Sequence, residues 1–157
     1  MGKTAHTAPG HQALRKGRVT ESGRIYHVIT STHDRHPYFS SFAQGRCVVG
    51  EMRRLAEEGC VDSLAWVLMP DHLHWLFALT EKNSLAEVIR LLKGRSAIGL
   101  NRILQRQGPI WQKSFYDHAL RRDEDVRLVA QYIIANPLRR GLVEDVLDYP
   151  LWDMIWL

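Results

Sequence analysis

His72-Leu73-His74, directly behind Met69-Pro70-Asp71, sets two imidazoles one residue apart in a run that reads as a strand. Strand side chains alternate between the faces of a sheet, so both rings emerge on one side. Two imidazoles so placed are half of a metal site. Leu73, Trp75, Phe77 and Leu79 share one parity and His72, His74, Leu76 and Ala78 the other. The bulkier set is assigned to the core and the histidines to an open face that a ligand can reach. Alone, so short a pattern is better read as two half-exposed strand histidines with no ligand.

A second pair stands further along. Residues 123–135 carry Val126, Val129, Ala130 and Ile133 at helical spacing, and Pro137 restricts Asn136 and should end the helix there. Tyr132 and Asn136 are four apart. At ~100° per residue they lie within about 40° of each other beside the apolar stripe, so a phenol and an amide oxygen can point together at whatever the helix covers. The plainer alternative is a boundary tyrosine next to a helix-ending asparagine.

The elements that must position these groups follow from pattern. Residues 24–32, with Ile25-Tyr26-His27-Val28-Ile29-Thr30 after a Ser-Gly turn, predict a first strand. Residues 42–58 predict a helix with Val48, Met52, Leu55 and Ala56 facing in, stopped by Gly59 and weakened by Gly45 and Gly50. Residues 61–69 and 72–79 are two strands of a hairpin closed at Pro70-Asp71. Asn83 or Ser84 caps a long helix with Leu85, Ile89, Leu92 and Ile103 inward and Arg90, Lys93, Arg95, Arg102 and Arg106 mostly outside. After the Gln107-Gly108-Pro109 break, residues 111–121 predict a last strand. Strand, helix, hairpin, helix, strand and a final helix make an α+β protein with a ferredoxin-like, RRM-like antiparallel sheet, helices on one face and the other face open.

The 157 residues are 45% hydrophobic, which is one domain's worth of core. Residues 21–157 are read as that domain, and residues 1–20, basic and poor in apolar side chains, as a flexible tail. The formal charge of +4 permits a nucleic-acid partner without requiring one. Cys47 and Cys60 are too few for a disulfide framework and have no zinc-site spacing, so a reducing cytoplasm is expected. No apolar run approaches the ~20 residues of a membrane span.

Three stretches together carry more than any one. His72-Leu73-His74 behind Met69-Pro70-Asp71, then Trp111-Gln112-Lys113-Ser114-Phe115-Tyr116-Asp117-His118, then Gln131-Tyr132-Ile133-Ile134-Ala135-Asn136-Pro137 followed by Gly141-Leu142-Val143, resemble the REP-associated tyrosine transposases. Those proteins form part of the IS200/IS605-like single-tyrosine group of HUH single-strand DNA nucleases. The resemblance implies a metal-dependent enzyme that nicks and rejoins single-stranded DNA beside small hairpins through a 5′-phosphotyrosine. Carried over by motif, His72 and His74 match the metal ligands, Tyr132 the nucleophile and Asn136 the third ligand, where the insertion-sequence branch usually has Gln. A monomer or a homodimer fits.

The implied chemistry suits these groups. A phosphodiester repels an incoming oxyanion, so its charge must be neutralised and the nucleophile aligned. Two imidazoles and an amide oxygen suit Mg²⁺ or Mn²⁺, the latter better for nitrogen. A phenol, with a pKa of about 10, must lose its proton during attack or be acidified by nearby positive charge. Arg121, Arg122, Arg139 and Arg140 bracket the last helix and can clamp phosphates. Tyr116, near His118, is the rival nucleophile. The other classes to weigh are a non-catalytic nucleic-acid-binding module on an open sheet and a metal hydrolase that uses water.

Overall fold

A computed structural model describes residues 23–156, and the expected tail, residues 1–20, lies outside the described residues. The order is β1 (Ile25–Ser31), α1 (Phe42–Glu57), β2 (Val61–Met69), β3 (His72–Leu79), α2 (Leu85–Leu104), β4 (Tyr116–Ala119), α3 (Val126–Ile134), α4 (Asn136–Arg139) and β5 (Trp152–Met154). The strands form one antiparallel sheet in the order β4-β1-β3-β2-β5. The first four strands keep the ferredoxin-like order, and β5 extends the β2 edge.

Local chemistry explains the helix limits. Gly59 takes φ +81° behind α1, and the Cys60 and Gly59 amides donate to the Leu55 and Ala56 carbonyls, the paired bonds of a Schellman ending. Ser84 opens α2 with a full capping box: its hydroxyl accepts from the Glu87 amide at 3.2 Å, and the Glu87 carboxylate accepts from the Ser84 amide at 2.9 Å. Gly45, which weakens the helix by propensity, is required by packing. A Cβ there would lie 2.5 Å from a Leu151 methyl, so the glycine lets the segment entering β5 close on α1.

Helices α1 and α2 cover one face of the sheet, burying Val28, Leu73, Trp75, Phe77 and Leu79 against Val48, Met52, Leu55, Ile89 and Leu92. Trp75 donates its indole N–H to Ser63 at 2.9 Å, so its polar atom is satisfied inside the core. Ile103, expected to face inward, is 53% exposed. Leu104, not Ile103, follows Leu100 onto the core in the last turn of α2. The strand expected over residues 111–121 is confined to β4. Trp111 makes an isolated bridge to Thr32 and buries its indole, which donates to Ser96 at 2.9 Å.

The second face is not open. Ala65, Val67, Met69 and Leu76 form a second apolar patch on it, and Ala130 and Ile133 of α3 bury themselves there. The stripe predicted for the last helix therefore finds its partner on the face assigned to solvent. An apolar stripe needs a surface to cover, and α1 and α2 already occupy the other one.

Candidate active site

Register places the histidines on that covered face. His74 pairs with Ile29 and Val67, and His72 with Ser31 and Met69. They share the predicted side of the strand, but the expectation of accessibility is corrected: His72 is 3% and His74 8% exposed. Their ring centroids are 5.0 Å apart in an edge-on arrangement.

Each ring is held by its Nδ1. His72 Nδ1 lies 2.8 Å from Asp71 Oδ1, and Arg35 donates to the other Asp71 oxygen at 3.1 Å. Burial alone would raise the Asp71 carboxyl, yet the hydrogen bonds from His72 and Arg35 prevail and hold it below its ordinary value. His74 Nδ1 lies 3.0 Å from Nε2 of His27 on β1, with ring centroids 5.3 Å apart and ring planes inclined by 27°. Among the described residues neither His72 Nε2 nor His74 Nε2 makes a hydrogen bond. Burial pushes His74 down to about 3 and His27 to about 4, and lowers His72 as well; Arg139 and Arg140 add to the effect at His74. The imidazoles are thus neutral near pH 7, the form that ligates a metal. Donor set and outer partners fit a divalent cation, because a ligating imidazole characteristically gives its second nitrogen to a fixed partner.

The end of the last helix differs from expectation in a way that shapes Asn136. Asp125, not Asp123, caps α3 and accepts from the Arg127 and Leu128 amides. Pro137 does not end helical structure. It sits in the first turn of α4, where a missing N–H is tolerated. In a continuous helix residue 137 would donate to the Ile133 carbonyl, and proline cannot. Asn136 Nδ2 donates to that carbonyl instead, at 2.9 Å. A carbonyl can only accept, so the amide's orientation is fixed and its Oδ1 remains for another partner. Asn136 is 6% exposed.

Tyr132 does not turn inward with Asn136. It is 61% exposed where Asn136 is buried, and Ala135, with ψ 0°, interrupts the regular helix between them. The Arg139 guanidinium lies 3.8 Å from its ring centroid and donates to the Tyr132 carbonyl at 2.7 Å. Arg140 is exposed at the same end, close enough to depress both histidines. Arg121 and Arg122 precede α3, whose nine residues span about 14 Å, so they flank its far end. Tyr116 pairs with Ile29 across from β4, placing it on the histidine side of the sheet two strands from His74. His118 also faces this side, opposite His27, and its Nε2 is 2.9 Å from Glu124. Sequence reading missed His27, Asp71 and Arg35. Asp71 adjoins His72 and His27 has the right parity, but which strands adjoin became visible only with the register.

Fold and site together define an α+β protein with a histidine pair set beneath a helix that carries a tyrosine. The chain belongs to the IS200-like transposase family, whose sequence model matches residues 20–136. It is 32% identical over 145 residues to a putative REP-associated tyrosine transposase of Haemophilus influenzae, covering 83% of this chain and 79% of that protein. A REP-associated tyrosine transposase of Escherichia coli is 35% identical over 89 residues, covering 55% of this chain and 50% of that one. A solved REP-associated tyrosine transposase bound to a REP hairpin shares the fold, with a TM-score of 0.71 at 24% identity over 86% of this chain and 79% of that one. A putative transposase from Deinococcus radiodurans aligns with a TM-score of 0.54 at 25% identity, over 76% of this chain and 95% of that one. This chain is accordingly a transposase of the tyrosine class. No helix among the described residues is long and apolar enough to cross a membrane.

Proposed function

We propose that the protein nicks and rejoins single-stranded DNA beside REP-like hairpins through a 5′-phosphotyrosine on Tyr132, with Mg²⁺ or Mn²⁺ held by His72, His74 and Asn136. The observation that carries this reading is the pair of buried, neutral imidazoles whose Nδ1 atoms are engaged and whose Nε2 atoms are bare. When bound, the cation would offset the charge of the scissile phosphate and polarise it. The hydroxyl of Tyr132 loses its proton to solvent as its oxygen attacks phosphorus, the bond to the 3′ oxygen breaks, and that oxygen takes up a proton and leaves as a 3′ hydroxyl, with no net change in protons. The energy of the diester is kept in the phosphotyrosine, so a 3′ hydroxyl can reverse the step onto another strand without ATP. Arg139 and Arg140, exposed beside Tyr132, suit the flanking phosphates, and Arg121 and Arg122 suit backbone further along. An exposed phenol is where a long strand can meet it. Such a role belongs in the cytoplasm.

A non-catalytic module that stacks bases on an open sheet is disfavoured, since α3 covers the face it would use. Incubation of the protein with a hairpin-bearing oligonucleotide and Mn²⁺ is expected to give a covalent protein–DNA adduct on a denaturing gel. Tyr132→Phe should lose the adduct and still shift the hairpin in a native gel. An adduct of undiminished yield in that variant would reject the nucleophile.

A further inference from the structure

The two histidines are anchored differently, and the difference assigns a role to a third. His72 hands Nδ1 to a carboxylate, which can only accept, so in the neutral ring the proton is on Nδ1 and Nε2 carries none. His74 hands Nδ1 to another imidazole, which can donate or accept. Two tautomeric arrangements satisfy that 3.0 Å contact. In one, His74 Nδ1–H donates to His27 Nε2 and His74 Nε2 is bare. In the other, His27 Nε2–H donates and the His74 proton moves to Nε2, the nitrogen a cation would need.

We propose that His27 is a positioning residue for the site, accepting from His74 Nδ1–H across the β1–β3 pair and thereby keeping His74 Nε2 free to ligate. His27 holds its own proton on Nδ1 in this arrangement. The rings meet edge to edge with their planes only 27° apart, as an N–H···N bond needs, and their place in adjacent strands leaves little freedom to separate them. His27 touches neither substrate nor cation and acts through His74 alone. The inference rests on the reading of His72 and His74 as cation ligands.

Two-bond ¹H–¹⁵N correlation spectra of the metal-free, ¹⁵N-labelled protein give the tautomer directly and need no variant. His74 is expected as the Nδ1–H form; a predominantly Nε2–H form would overturn the proposal. Mn²⁺ binding followed by electron paramagnetic resonance tests the consequence, with thermal melts confirming the fold. His27→Phe, which keeps a ring but has no acceptor, should weaken Mn²⁺ by about 10- to 100-fold, the range typical for outer partners of a ligand. His27→Gln, whose amide oxygen can accept, should recover most of that loss. Should His27→Phe bind as tightly as the parent while His74→Ala does not bind, the positioning role is wrong and the cation site stands. Unchanged Mn²⁺ binding in His74→Ala would remove the site itself, and the role of His27 with it.

Discussion

One face of the sheet packs α1 and α2 through Leu73, Trp75, Phe77 and Leu79; the other packs α3 and α4 and, between patches of Val67, Met69 and Leu76, buries His72, His74 and Asn136. The first face is mostly apolar, with Thr30 and Asp117 buried among its strands and the indole donors of Trp75 and Trp111 satisfied by Ser63 and Ser96. The second buries polar groups whose hydrogen bonds run through Asp71, Arg35, His27 and the Ile133 carbonyl, yet leave chosen atoms without one. What sets the second face apart is convergence: two imidazoles side by side, each with Nδ1 engaged and Nε2 without a hydrogen bond among the described residues, form an arrangement a ligand can use, and the first core gathers no such pair.

Substitutions should separate the two faces. Trp75→Ala deletes the largest fully buried side chain and is expected to destabilise by about 3–5 kcal/mol, read by urea denaturation. His72→Ala, on the opposite face of the same strand, should cost well under half of that while lowering adduct formation on the order of 100-fold or more. Equal destabilisation by both would erase the distinction.

Acid should act through the second face. His27 and His74 are held at about 4 and about 3, below the ~6.5 of an unfolded histidine. Below pH 6.5 the unfolded chain takes up protons that the folded chain refuses. Their contribution is therefore complete above that pH and declines as pH falls toward the folded values, by up to about 1.4 kcal/mol per pH unit for each ring. Melting of the metal-free protein between pH 6.5 and 5 should show this fall, and a flat profile would mean that the rings are hydrated.

Glycines in α1 sharpen the picture of the first face by sign. Gly45→Ala pushes a methyl into Leu151 and should cost about 1–3 kcal/mol. Gly50→Ala meets nothing within 4 Å and should stabilise by about 0.5–1 kcal/mol through helix propensity. Melting temperatures that move in the same direction would contradict that packing.

Much of this architecture could be read from residue order. The hairpin arms are found where alternation and Pro70-Asp71 put them, because pattern and turn chemistry agree across β2, the turn and β3. Trp152-Asp153-Met154 is too short to show an alternation, so β5 was not expected. The covering of the histidine face was implicit in the stripe of α3, which had no other surface to bury against. Tyr132 and Asn136 were paired by an ideal helical spacing that the proline break does not preserve. Asp71 stood next to His72 in the sequence without a mark of its role, and His27 became a partner only through the strand that lies beside β3.

Tyr132 and Tyr116 are both exposed, and Tyr116 lies on the histidine side of the sheet, so the identity of the nucleophile is the sharpest point of contact with experiment. Tryptic digestion of the trapped covalent adduct, followed by tandem mass spectrometry, would locate the nucleotide remnant. The proposed mechanism predicts a phosphodiester-linked remnant on Tyr132; a remnant on Tyr116 would contradict it.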